Sequence, residues 1–227
     1  MYKIKVLFDI IYKKEGDKMD IKYEEMTKQD YEDIKRLITE AWFSDYPFKE
    51  KYIKGYAKGY LNMYLAKADY KIVAKDGDNV VGFLFGNIKK APFWQRVLAK
   101  IRLFWLGFFM LFSYPGRRGI KITLITDKVN KQLLKPYKKD VKNELILFIV
   151  DEKYQGHGIG STLEKMYCKE LKEKGVKNLY LFTDTYSNYE YYEHRGYDRK
   201  GTMPVDFGIK GSEIDPISEY YIYIKEL

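Results

Sequence analysis

Residues 144–160 read ELILFIVDEKYQGHGIG, and this stretch decides the fold. Residues 144–150 are apolar and β-branched after a single charge, the composition of a buried strand. Five residues follow, and then come Gly156, His157, Gly158, Ile159 and Gly160. Beyond the glycines, Ile159, Leu163, Met166, Tyr167 and Leu171 share one helical face, with Gly175 at the position of a C-terminal cap. A strand, a glycine turn and a helix start together make an anion site. Glycine lets the backbone approach a phosphate closely, and the free N–H groups of the first helical turn carry partial positive charge. A diphosphate suits such a turn.

Several diphosphates compete for it. A P-loop requires Gly-Lys-Ser/Thr after the loop, which Ile159 and Gly160 exclude. A dinucleotide fingerprint requires Gly-x-Gly-x-x-Gly, whereas the sequence gives Gly-x-Gly-x-Gly; Asp184, after the next strand, mimics its ribose-binding acid. Too little chain follows Asp184 to complete two mononucleotide halves. The pattern Gln155-x-x-Gly158-x-Gly160 fits a third reading, and residues 188–197, NYEYYEHRGY, support it. In these two motifs the sequence resembles the GCN5-related N-acetyltransferase (GNAT) family, whose late signature is an Asn followed by aromatic-Tyr-Glu-Lys-x-Gly-Phe. The resemblance covers roughly residues 19–88 and 144–227. It departs at an N-terminal extension (residues 1–18), at an insertion (89–143), and at His194, which replaces the usual Lys.

The resemblance implies an α+β, three-layer fold: a mixed, mostly antiparallel central sheet with helices on both faces, acyl-CoA N-acyltransferase-like, here with a hydrophobic helical insertion. It implies acetyl-CoA (coenzyme A) as cosubstrate, lying in a splay between the fourth and fifth strands. Phe148, Ile149 and Val150 would then offer backbone contacts to the pantetheine arm. Gln155, Gly156, His157, Gly158, Ile159 and Gly160 would hold the pyrophosphate. Asn188 is a further polar contact, and the Val150 N–H is a candidate donor to the developing oxyanion. The implied reaction is direct attack of a primary amine, of a small molecule or a protein, on the thioester in a ternary complex. Tyr192 matches the general-acid tyrosine, against the alternative that it only packs over the cosubstrate. Glu144 is the candidate base, against the equal alternative of a solvated strand-end charge. A non-catalytic acyl-CoA-binding sensor is the competing function.

Around this unit the chain alternates elements. Residues 4–12 and 21–26 read as strands, and Thr27 with Asp30 forms a capping signal before a helix over about 29–42. Tyr52, Tyr56, Tyr60 and Tyr64 recur every fourth residue and make one ridge of a second helix, read mainly as packing. Residues 71–75 and 80–88 flank a turn containing Gly77, a hairpin. Residues 92–112 are dominated by Phe, Trp, Leu and Ile with basic residues on both sides, and the chain to about 143 continues this insertion, with a loop around Pro136. The domain's own sheet, a second subunit as in a homodimer, and a membrane surface compete to cover the run; burial in the protein ranks first.

The formal net charge is +9, and the lysines run the length of the chain with no basic arm. Arg, the residue of bidentate base readout, is scarce, so nucleic acid is not an expected partner. One cysteine, Cys168, excludes an internal disulfide and reads as helix packing. With two histidines in separate segments, no metal site is expected. No signal peptide is legible, and the default location is cytoplasmic.

Overall fold

The computed structural model describes residues 20–42, 50–89, 101, 108, 111–112, 114–208 and 217–227. The N-terminal extension, with its strand-like run at 4–12, lies outside the described residues, as does most of 92–112.

Strand β1 (Ile21–Glu25) leads to Thr27, whose N–H and hydroxyl both donate to the Asp30 carboxylate at 2.7 and 3.0 Å. Asp30 then accepts the Ile34 N–H through its carbonyl, so helix α1 (Tyr31–Trp42) begins one or two residues later than the sequence suggests. Ile34, Leu37 and Ile38 form its buried stripe. Helix α2 (Glu50–Leu65) follows, and β2 (Tyr70–Asp76) and β3 (Asn79–Gly86) form the expected hairpin about Gly77, which has φ 61°. Helix α3 (Tyr114–Leu134) precedes β4 (Asn143–Val150), and helix α4 (Ile159–Glu173) precedes β5 (Asn178–Asp184). The short helix α5 (Glu190–His194), β6 (Asp198–Asp206) and β7 (Ile217–Glu226) complete the chain.

The seven strands form one mixed sheet in the order β1-β2-β3-β4-β5-β7-β6. Every neighbouring pair is antiparallel except β4 and β5, which are parallel. One face carries α4, with Leu163, Tyr167 and Leu171 packed on Leu84, Leu145, Leu181 and Tyr223. The other face is shared. Helices α1 and α2 cover β2, β3 and β4 there, and α3 covers β5, β7 and β6 through Val129 and Leu133 against Tyr180, Val205 and Ile222.

The second half of the insertion is a 21-residue helix that roofs half the sheet, followed by a turn that contains Pro136. In the first half, the described apolar residues Ile101, Phe108, Leu111 and Phe112 are exposed, so the domain's own sheet does not cover them.

The ends of the insertion meet at a hydrogen-bonded buckle. The Asn143 side chain donates to the carbonyls of Asn87 and Ile88 at 3.1 and 2.9 Å, the Glu144 N–H donates to the Asn87 side chain at 2.8 Å, and the Asn87 N–H donates to the Glu144 carbonyl at 3.0 Å. The buried Tyr167 hydroxyl reaches the same two carbonyls, of Asn87 and Glu144, at 2.8 and 3.0 Å. Its ring lies where a Cβ on Gly86 would sit, only 2.3 Å from that point, so only glycine lets α4 bring the tyrosine in.

Candidate active site

The parallel pair β4 and β5 is joined only at Asn143 with Leu179 and at Glu144 with Tyr180. Beyond Glu144 the strands diverge into a wedge through the sheet. The Asp151 N–H bonds to Val81 of β3 at 2.8 Å. Since successive residues of a strand turn their backbone groups to opposite sides, Ile149 and Leu147 pair with β3, and Phe148 and Val150 turn theirs into the wedge. Ile149, grouped with them on sequence, therefore offers its backbone to β3. Near the apex an extra residue, Ile146, separates the pairs Phe85–Leu147 and Gly86–Leu145, a bulge that reverses the alternation. The Glu144 side chain consequently points to the face of α1 and α2, toward Tyr64 and the Tyr180 hydroxyl, which donates to it at 3.3 Å.

At the mouth of the wedge the glycine turn behaves as its sequence suggests. The Gln155 side-chain amide donates to the Val150 carbonyl at 3.1 Å and ties the loop to the strand end. Gly156 and Gly158 have φ 80° and 77°, and Gly158 caps α4, taking both the N–H and the hydroxyl of Thr162 on its carbonyl. Among the described residues, the amides at positions 156–161 donate to no protein acceptor. Six consecutive donors at a helix N-terminus form a strong anion cradle. Gly160 has a different role: a Cβ there would lie 3.1 Å from the Phe148 ring, so it permits α4 to pack on β4. The exposed His157 turns its Nδ1 to the Gln155 carbonyl at 2.9 Å. Asn188 is exposed before α5 and forms no side-chain hydrogen bond among the described residues.

Tyr192, on α5, sits within a cluster of rings, 5.4 Å from Tyr191, 5.5 Å from Tyr197 and 6.0 Å from Tyr223 between centroids. Burial, with the Glu164 charge in support, pushes its phenol above the ordinary value. It remains protonated at any neutral pH. Glu144, at the apex, is also shifted upward by burial, with Lys67 and the Tyr180 hydroxyl pulling the other way. A solvated strand-end charge would show neither the burial nor the tyrosine bond. Cys168 is half-buried on α4, and burial raises its thiol pKa, consistent with packing rather than nucleophilic chemistry.

Sequence reasoning missed the surroundings of both groups. Tyr64 and Lys67, at the end of α2 and in the turn after it, and Tyr180 of β5 gather about Glu144, and no sequence spacing connects the two segments. Glu164 was missed although a signal existed, since it lies on the buried stripe of α4. It is fully buried and receives Arg195 and Lys225 at 2.7 Å each and the Tyr191 hydroxyl at 3.0 Å.

An extended donor carrying a diphosphate at one end suits such a wedge, which defines the class as a transferase fed by a long activated donor. The chain belongs to the Acetyltransferase (GNAT) family, whose description it matches over residues 31–197, and it is an acetyltransferase. Solved structures share the fold. The PaiA N-acetyltransferase of Thermoplasma acidophilum, solved in complex with coenzyme A, is 15% identical with TM-score 0.51, over 92% of this chain and 100% of that one. PH1933 from Pyrococcus horikoshii OT3 is 21% identical with TM-score 0.52, over 92% and 99%. A GCN5-related N-acetyltransferase from Rhodopseudomonas palustris is 13% identical with TM-score 0.51, over 94% and 100%. At such identities the likeness is one of fold. No curated protein matches the sequence.

Proposed function

We propose that this protein transfers the acetyl group of acetyl-CoA to a primary amine, of a small molecule or a protein, by direct attack within a ternary complex. The observation that carries this reading is the wedge between β4 and β5, with free amides at its mouth and a half-buried carboxylate at its apex. The amides at 156–161 hold the pyrophosphate, and the wedge-facing backbone groups of Val150 and Phe148 pair with the pantetheine as an added strand would. Acetyl-CoA supplies an activated acyl carbon at the far end of that arm.

Glu144 takes the proton of the incoming ammonium, directly or through water, leaving a free amine to attack the carbonyl. At ~3.3 Å per residue, Val150 lies ~20 Å along β4 from Glu144, too near the mouth to serve the reacting carbonyl. We therefore assign the oxyanion contact to the Phe148 N–H, which faces the wedge nearer the apex. As the C–S bond breaks, Tyr192 donates to the sulfur, and the second proton of the amine, released from the newly acylated nitrogen, returns to the phenol through water. Because the phenol is a weaker acid than a thiol of pKa ~8.5, its hydrogen bond to the departing thiolate supplies most of the assistance. The products are an N-acetyl amide and coenzyme A.

Acetyl-CoA should raise the melting temperature, whereas NAD and ATP should not. Gly158→Glu, which places a carboxylate in the anion cradle, should abolish the shift. Stabilisation by NAD alone would overturn the donor assignment.

A further inference from the structure

Five of the six large hydrophobic side chains exposed among the described residues belong to the insertion: Ile101, Phe108, Leu111, Phe112 and Leu124. Phe112 is 73% exposed and Leu124 64%. The rings of Phe108 and Phe112 lie 5.2 Å apart, and Arg117, in the first turn of α3, bonds the Leu111 carbonyl at 3.0 Å, which ties this patch to the helix. Along the outer face of α3, Arg117, Lys121, Leu124 and Lys128 are all exposed and recur at helical spacing, opposite the Val129 and Leu133 stripe that grips the sheet.

Charge identifies what this face meets. Lysines run through the whole chain, but acids do not accompany them here. Residues 89–142 hold fourteen Lys and Arg against two Asp, and the rest of the chain twenty-seven against thirty acids, so this segment alone accounts for the net +9. A second copy of the chain would set like charge against like across the patch. A polyanion such as nucleic acid would answer the charge and leave the phenylalanines and leucines in water. An anionic lipid surface satisfies both, taking the apolar side chains below the headgroups and the ammonium groups among them.

We propose that the outer face of the insertion docks on anionic lipid bilayers, with Phe112 and Leu124 entering the interface and Arg117, Lys121 and Lys128 contacting the headgroups. Among the described residues no helix is long and apolar enough to cross a membrane. Docking is independent of the acetyl-transfer reading.

The test is co-sedimentation of the full chain with vesicles of phosphatidylcholine, alone or enriched in phosphatidylserine. Binding to the anionic vesicles should exceed binding to the neutral ones by about tenfold or more and fall with salt. Phe112→Ser with Leu124→Ser, and separately Lys121→Glu with Lys128→Glu, should each weaken partitioning about tenfold. All four positions are exposed, and an unchanged melting temperature in each double variant verifies the fold. Absence of binding, equal binding to both vesicles, or binding indifferent to the Phe112 and Leu124 changes would overturn the proposal. A dimer in light scattering that Phe112→Ser dissociates would assign the face to a second copy, and binding to duplex DNA without binding to anionic vesicles would assign it to nucleic acid; either also overturns it.

Discussion

Glu144 acquires its chemistry from where the ladder stops. It is the last residue of β4 paired with β5, and the bulge at Ile146 turns its side chain to the tyrosines of the opposite face. With its carboxyl pKa raised by burial, Glu144, the proposed base, should be protonated and inactive in acid, and turnover should rise with pH through an apparent pKa above the usual carboxylate range. Glu144→Gln should remove that limb and lower kcat by about 10²–10⁴-fold; an unchanged pH–rate profile would exclude Glu144 as the base. At this scale the sequence revealed backbone conformation better than orientation. Glycine spacing announced the turn because backbone conformation follows from residue type at Gly156 and Gly158. The alternation separating Phe148 and Val150 from Ile149 depends on register with β3, and register is a property of two strands.

Among the elements, α4 and α5 are held together by one buried carboxylate. Glu164 joins α4 to Arg195 at the end of α5 and to Lys225 of β7, and so fixes the segment that carries Tyr192. Burial alone would raise its pKa, yet the two cations and their hydrogen bonds bring it below the ordinary carboxylate value. A depressed folded pKa contributes stability that is present above the unfolded value of about 4.3 and disappears as pH falls through the folded value. Glu164→Gln, which leaves two cations without their counter-charge, should cost about 3–5 kcal/mol near neutrality by denaturant unfolding. That difference should shrink in acid, and a pH-independent loss would mean that packing, not charge, is what Glu164 supplies. Helix α4 was legible from its apolar stripe. The insertion was legible as helical, but the bounds and buried face of α3 were not, because Val129 and Leu133 stand among lysines and threonines, after an apolar run that dominates the pattern. Its register comes from the sheet beneath it. Pro115, at a favoured first-turn position, was the available clue.

For the whole molecule, the buckle between Asn87 and Asn143 makes the insertion an excursion with closed ends. Replacing residues 89–142 by a short glycine-containing turn should leave β3 and β4 paired, since loop-closure entropy changes slowly with length. It should lower the melting temperature, because Val129, Leu133 and Val141 each contribute about 1.5–3 kcal/mol of burial over β5, β7 and β6. A shift with acetyl-CoA should persist; its loss would show that α3 belongs to the donor site. The sheet itself consists of two plates, β1 to β4 and β5 to β6, and their backbones meet at a single short seam. Helix α4, whose core cluster draws on both plates, is the strap across it. A molecule filling the wedge would act as a rivet, joining plates that would otherwise flex about Asn143 and Glu144. Opening and closing of the donor cleft and bending of the sheet are then a single motion, and its axis passes through the residue proposed to take the proton.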